Sequence, residues 1–496
     1  MSSDQTSSGK ILVFAYSDYG QANPMLSIVY ELALMRPEVE LHVASFTPLD
    51  TRLPDFQALL DRDRKRRAHP THNIKDIVFH HCKGVTNMQA FGLYNGGMHA
   101  MTHPSGIRGC FKATENLDYL AAPLEAEGYL ESFFQCREMI TTMNPDIVIV
   151  DSLFKPAIDA CRESTQLFVV LSTMSYKECT TADQPVLSLL TRFPAYGSGY
   201  PYPVPWHLIP SNVFINLLFG YTFATNPRFK KLDAYRKEHA GLNFGFHDFV
   251  IPGVQYLCPS LPETDFPFFV PDHIFSCGPL IFPFVPVEEA DPELGIWIDK
   301  GPTILVNLGS HAISDEGYVT ELAKGLRIMF ASGGVPSHTQ VLWKVKLGGG
   351  DSQIRNVIEG IIGAEIQEDR VKLVDWLKAD PVSILLHPNT ACTVHHGGAN
   401  SFNEGIWAGV PHIVLPVWYD TYDFASRVEY LGIGIYGSKA CSPGVEAEEF
   451  GKALLRIVGS EAQQYKGKAG SLGDACRARG NGRELGAKRV LELAGL

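Results

Sequence analysis

Residues 393–411, TVHHGGANSFNEGIWAGVP, carry the punctuation of a strand-to-helix turn. The apolar approach from Ala391 reads as a buried strand ending at His395–His396. Gly397 and Gly398 then let the backbone turn and approach a ligand with no Cβ in the way. A helix is expected from near Asn400 to about Ala408, stopped by Gly409 with Pro411 beyond. Its first amides have no intrahelical acceptor and its dipole is positive at that end, so the loop suits an anion such as a diphosphate. His396, Asn400 and Ser401 add side-chain donors. Glu404 follows Ser401 by three residues and Asn400 by four, on the same face one turn in. A carboxylate there repels phosphate but accepts from the two hydroxyls of a ribose. The spacing therefore points to a nucleotide. No GK[ST] follows, so this is not a P-loop, and the pattern is not the dinucleotide G-x-G-x-x-G.

Working outward, short apolar runs rich in β-branched residues alternate with helical patterns along the whole chain. ILVFAY (11–16), VELHVASF (39–46), DIVIVDS (146–152) and LFVVLS (167–172) mark the first half. TILVNLGS (303–310), VLWKVK (341–346), VKLVDW (371–376), ACTVHH (391–396), HIVLPVW (412–418) and GIGIYG (432–437) mark the second. Such runs suit parallel sheets covered on both faces. The proline-rich stretch 277–294 separates the halves. The expected fold is α/β: two facing, doubly wound, Rossmann-like parallel-sheet domains with a cleft between them. The expected division is an N-terminal domain over 1–280, a linker over 281–294, a C-terminal domain over 295–475, and a C-terminal helix over 476–496 packing back on the N-terminal domain. Ligands in such sheets bind beyond the carboxyl ends of the strands. The loops after Tyr16, Asp151, Ser310, Trp376, His396 and Trp418 are therefore the ones to watch. The first of them, SDYGQANPML (17–26), reads as a tight loop at Gly20 with Gln21 at its tip and a helix opened by Pro24.

Bulk properties narrow the partners. The 496 residues carry a formal net charge of −12, which disfavours nucleic acid. Ten cysteines without a CxxC pair suggest reduced thiols and no zinc ribbon. The polar N-terminus has no signal-like apolar core, and no apolar run reaches the ~20 residues of a membrane span. A cytoplasmic protein is expected. The basic run 61–70 reads as a solvated loop, and VFHHC (78–82) as packing rather than a metal site, because adjacent residues of a strand face opposite sides. The aromatic, proline-rich segment 200–227 reads as an acceptor-site wall or an interfacial contact with a membrane, and Asn212 and Asn216 argue against its spanning one.

The second half resembles the nucleotide-sugar domain of family 1 UDP-glycosyltransferases, which have the GT-B fold. The likeness is dense over 300–437 and looser in the first half. That family's signature runs from a Trp through H-x-G-x-N-S-x-x-E to P-x-x-x-D-Q. Trp376 takes the first position, and His396, Gly398, Asn400, Ser401 and Glu404 fill the block in register. In PVWYDTYD, Asp420 takes the carboxylate position and Thr421 replaces the glutamine. By this resemblance Trp376 stacks on uracil, His396 and Ser401 hold the diphosphate, Glu404 holds the ribose, Asp420 and Thr421 meet the sugar, and Ser310 lies near the phosphates. Ala379 stands where the family has a glutamine after the Trp. The resemblance implies metal-independent, inverting transfer of a sugar, glucose by analogy, from a UDP-sugar co-substrate to a small acceptor, with no further cofactor. GQANPM (20–25) resembles a fungal branch that decorates lipophilic secondary metabolites.

The family's first loop reads H-x-x-P, its histidine being the general base oriented by an aspartate. Here Gln21 replaces the base, while Asp151 keeps the carboxylate position. Three routes for the proton follow: Asp151 itself, raised by burial; another histidine, His311 first, then His99 or His103; or an acidic acceptor needing little help. Phe91, Tyr94, Trp206, Phe214, Phe219 and Tyr221 are candidate pocket residues for an apolar acceptor. The rival readings are a binding-only homologue and a GT-B nucleotide-sugar epimerase.

Overall fold

The structure is a computed structural model, and it describes residues 9–66, 74–95, 97–245, 248, 250–309, 315–345 and 352–496. Two parallel sheets form. The first holds β1 (Lys10–Phe14), β2 (Glu40–Ser45), β3 (Val78–His81), β4 (Ile147–Asp151), β5 (Phe168–Leu171), β6 (Gln255–Cys258) and β7 (Ile274–Ser276). Their spatial order is β3-β2-β1-β4-β5-β6-β7. The second holds β8 (Thr303–Asn307), β9 (Gln340–Lys344), β10 (Val371–Val374), β11 (Thr390–His395), β12 (His412–Val414) and β13 (Gly434–Tyr436), in the order β10-β9-β8-β11-β12-β13. Both orders reverse beside the strand that begins the sheet, at β1/β4 and at β8/β11, where a doubly wound fold opens its ligand crevice. The ten sequence-expected runs are all strands. β6 and β7 were not anticipated: they are short, and QYLC and IFS lack the long apolar runs of the central strands.

The central strands are buried on both faces because helices cover them. Ile11, Val13, Ile147 and Ile149 pack on one side of the first sheet; Leu12, Phe14, Val148 and Val150 pack on the other. The helix Gly482–Ala494 joins that first core through Ala487, Val490 and Leu491, although it is last in sequence. Arg483 Nε meets the buried Glu31 carboxylate at 2.7 Å, and Gly486 presses on Ile28 so closely that a Cβ would stand 2.4 Å from its Cδ1. This last helix thus packs on the first sheet's domain.

Three local expectations change. The helix after β1 spans Tyr19–Met35, so Gln21 sits in its first turn rather than at a loop tip, and Pro24 lies inside it. Gln21 and Ala22 both donate backbone N–H to the Asp18 carbonyl, at 2.9 and 2.8 Å, which starts the helix before the proline. The basic run begins as the end of the helix Leu53–Arg66, with Arg64 buried. The segment from Trp206 is helical over Trp206–Leu208 and Ile209–Thr225, leaves the helix at Asn226, and resumes as the helix Pro227–Ala240; by length and composition alone the stretch could cross a membrane. It is nonetheless docked on the protein: Asn212 is fully buried, accepts from Ala195 N and donates to Leu190 O and Phe193 O. The asparagine that argued against a span satisfies three backbone groups instead.

Candidate active site

The carboxyl ends of the two sheets face each other across a cavity of about 830 Å³. Buried polar contacts fix this apposition. Lys177 Nζ meets Asp423 Oδ1 at 2.7 Å, and Arg427 Nε meets Asp265 Oδ1 at 2.8 Å. At the cavity itself, Asn400 Nδ2 donates to Tyr19 O at 3.4 Å, and the Tyr19 and Trp376 rings lie 5.9 Å apart.

One wall is the turn after β11. Gly397 adopts φ 91°, a left-handed conformation a side chain would strain, and Gly398 caps the helix Ala399–Ala408. The glycines also make room for the His396 imidazole. A Cβ on Gly309 would stand 2.6 Å from its Cε1, and one on Gly398 2.7 Å. Behind the turn His395 Nδ1 accepts from Gly397 N at 3.1 Å while His395 Nε2 meets His412 Nδ1 at 2.9 Å. Burial holds both rings far below the usual imidazole range, with His412 at about 3, so they act as neutral struts. Asn400, Ser401 and Glu404 line the same cavity as His396, and so does the half-exposed Trp376. Lys344 stands over the Trp376 ring at 4.5 Å and donates to Gly309 O at 2.9 Å.

Asp420 lines the cavity at the start of the helix Tyr419–Leu431. Thr421 borders it, but its hydroxyl is committed inward: it accepts from Val417 N and Trp418 N, each at 3.0 Å, and donates to Trp418 O. Thr421 therefore holds the Trp418 turn that presents Asp420, its hydroxyl engaged by the backbone. Burial pushes Glu404 up to about 8, helped by Asp380, and Asp420 up to about 8, helped by Glu178 and Asp423.

The opposite wall comes from the first sheet. Gln21 lines the cavity, and Asp151 lies fully buried behind it. With its Nε2 toward the carboxylate, Gln21 donates to Asp151 Oδ1 at 3.1 Å and its Oε1 accepts from Thr173 Oγ1 at 3.2 Å. Asp151 also accepts from Leu153 N at 2.9 Å. Burial raises it to about 7, with Asp18 adding repulsion. Asp151 is thus placed to hold Gln21 rather than to meet an acceptor. His103 is excluded as a base by its bonds: Nδ1 donates to Pro104 O at 2.8 Å, and Nε2 accepts from Tyr419 N at 3.0 Å. It sews the two domains together, and burial drives it to about 4. Ser310, His311 and the His99 side chain lie outside the described residues.

Sequence reasoning missed Asp18. It precedes the helix Tyr19–Met35, lines the cavity beside Gln21, and makes no side-chain capping bond. Burial raises its carboxyl to about 6. The signal is its position, between the carboxyl end of β1 and the helix Tyr19–Met35. Phe91, Met101, Leu120 and Tyr196 give the cavity an apolar end. Of the other proposed pocket aromatics, Trp206, Phe214 and Tyr221 are exposed on the outside, Phe219 packs beneath them, and the Tyr94 side chain lies outside the described residues.

Two Rossmann-like domains whose facing carboxyl ends share one cleft, with a glycine-flanked helix start, Trp376 and apolar side chains in its lining, define the GT-B class. Residues 363–493 match the family model described as "Erythromycin biosynthesis protein CIII-like, C-terminal domain". The chain is 36% identical over 508 residues to "Glycosyltransferase sdnJ" of Sordaria araneosa, covering 97% of each. It is 31% identical over 232 residues to "UDP-glycosyltransferase 76C1" of Arabidopsis thaliana, covering 44% of this chain and 46% of that one. A Polygonum tinctorium UDP-glucosyltransferase able to glucosylate indoxyl superposes with a TM-score of 0.65 at 16% identity, over 99% of both chains. Phytolacca americana UGT2, complexed with UDP-2fluoro-glucose and pterostilbene, superposes with 0.63 at 15% identity, covering 98% of this chain and 99% of that one. The chain belongs to the family 1 UDP-glycosyltransferases and is a UDP-dependent glycosyltransferase.

Proposed function

We propose that the protein transfers glucose, with inversion, from UDP-glucose to a hydroxyl or carboxyl of a small lipophilic acceptor, as a fungal secondary-metabolism enzyme would. The observation that carries this reading is the shared cavity: His396, the helix start at 399–401 and Glu404 line the same cavity as Phe91, Met101, Leu120 and Tyr196. In the proposed reaction the acceptor oxygen attacks the anomeric carbon as its bond to the diphosphate breaks. UDP leaves with the bonding pair, its charge met by the free amides of the Ala399–Ala408 helix, Ser401 and His396. Trp376 stacks on the uracil, Glu404 receives the ribose hydroxyls, and Asp420 receives hydroxyls of the sugar.

The acceptor proton passes to Asp18. Its carboxyl is in the cavity, and a pKa near 6 leaves it ionised at neutral pH yet more basic than an ordinary aspartate. Gln21 orients the acceptor through its amide, with Asp151 and Thr173 fixing that amide. The test is UDP release from UDP-glucose with and without a panel of apolar alcohols, phenols and acids, followed by product NMR. Acceptor-dependent release with a β-glucoside supports the reading. Isomerised sugar without acceptor would establish the epimerase, and UDP binding without any product the binding protein.

A further inference from the structure

We infer that the outer face of the helix Ile209–Thr225, with its two neighbours, docks on an anionic lipid bilayer. The helix has two apolar faces. Asn212, Ile215 and Phe219 point inward at helical spacing and are buried. Ile215 and Phe219 belong to the small core that also contains Phe91, Met101 and Tyr419, all cavity-wall residues. Phe214, Leu217 and Tyr221 repeat the spacing on the outer face, where Leu217 is 61% and Tyr221 67% exposed. The preceding Trp206 is 83% exposed. The helix packs against Val186–Thr191 on one side and Gly106–Glu115 on the other. The first adds Leu187, 73% exposed; the second adds Phe111, whose ring lies 5.8 Å from Phe214. Exposed tryptophan, tyrosine and leucine on one continuous face form the composition of an interfacial contact.

Charge selects the bilayer over other occupants. The chain carries a net charge of −12, yet residues 77–114 and 184–232 contain no Asp or Glu. These two stretches supply the whole face apart from the last residue of the Gly106–Glu115 helix. Within them Arg108, Lys112 and Arg192 are exposed around the apolar patch. An anionic lipid headgroup layer meets both features at once, the rings entering the interface and the cations its surface. Because the inner face of the same helix adjoins the apolar end of the cavity, a membrane-dissolved acceptor would arrive beside the pocket that takes it. This last point rests on the proposed acceptor class; the docking itself does not.

The test uses the full chain in co-sedimentation with phosphatidylcholine vesicles, with and without phosphatidylserine. Binding is expected with phosphatidylserine, weaker by about tenfold without it and in high salt. The combined variant Trp206→Ser, Leu217→Ser, Tyr221→Ser is expected to bind about tenfold more weakly still, and Arg108→Glu with Lys112→Glu to abolish the phosphatidylserine preference. Unchanged UDP affinity by calorimetry identifies the variants as folded. Failure of the wild type to sediment, or undiminished sedimentation of the triple variant, would overturn the inference. So would a dimer in light scattering that the triple variant dissolves, since the occupant would then be a second copy. Vesicle binding is read without sugar transfer, so either proposal can fail alone.

Discussion

The replacement of a basic histidine by Gln21 changes the chemistry of its aspartate partner. An imidazolium would stabilise the Asp151 carboxylate; an amide supplies one dipole, and burial then dominates. Asp151 accordingly rises to about 7 while staying out of the cavity. In the proposed mechanism Asp18, which lines the cavity, takes the proton instead. Asp18→Asn is expected to lower kcat by about 10²–10⁴, the usual contribution of a general base, with UDP affinity unchanged. The rate of the wild type should rise with pH through about 6 as Asp18 ionises, and the variant should lose that limb. Asp151→Asn should cost less, because an amide can still bond Gln21. A kcat loss at Asp151 exceeding that at Asp18 would reverse the two roles.

At the scale of the element, the Ala399–Ala408 helix brings Asn400, Ser401 and Glu404, proposed to hold the donor, to the cavity within its first turn and a half. His396→Ala and Glu404→Ala are each expected to weaken UDP binding by about 1–3 kcal/mol, the cost of leaving a buried hydrogen-bond partner unsatisfied. Gly398→Ala tests the cradle: the new Cβ would stand 2.7 Å from the His396 ring and must displace it. UDP affinity measured by calorimetry should fall for this variant about as far as for His396→Ala. The start of the Tyr419–Leu431 helix is organised differently, because Thr421 is used up in bonding the Trp418 turn. Thr421→Val should therefore disturb Asp420 through its backbone and reduce thermal stability as well as turnover.

For the whole molecule, buried carboxyls in the cleft link folding to pH. Glu404 and Asp420 keep their protons to about pH 8 when folded, against about 4 when unfolded. The folded state binds more protons across that window, so its stability falls as pH rises through it. His103 and His412 have the opposite sign: their folded values lie near 4 and 3, and the stability they withhold in acid is restored once pH exceeds about 6.5. Above 6.5 the carboxyls act alone among these groups. The Tm of the ligand-free protein, followed by scanning fluorimetry, should fall from pH 6.5 to 8, and Glu404→Gln should flatten the fall. Across the interface, Lys177→Ala would leave Asp423 buried without its partner and should cost about 3–5 kcal/mol, read from denaturant unfolding.

The sequence by itself determined the central strands of both sheets and the Gly-Gly turn into the Ala399–Ala408 helix. Buried parallel strands need unbroken apolar runs, and a Gly-Gly turn into a helix needs its residues at fixed offsets, so both are written locally. The short strands at β6 and β7, the early start of the Tyr19–Met35 helix and the outward face of Trp206 and Tyr221 were not legible, because each depends on what packs alongside. The same holds for the second wall. Asp18, Gln21, Asp151 and Thr173 come together only when β1, β4 and β5 align, and which side of that wall a carboxylate faces decides whether it borders the cavity or lies buried behind it. Burial and orientation are properties of the assembled cleft, and they alone distinguish Asp18 from Asp151.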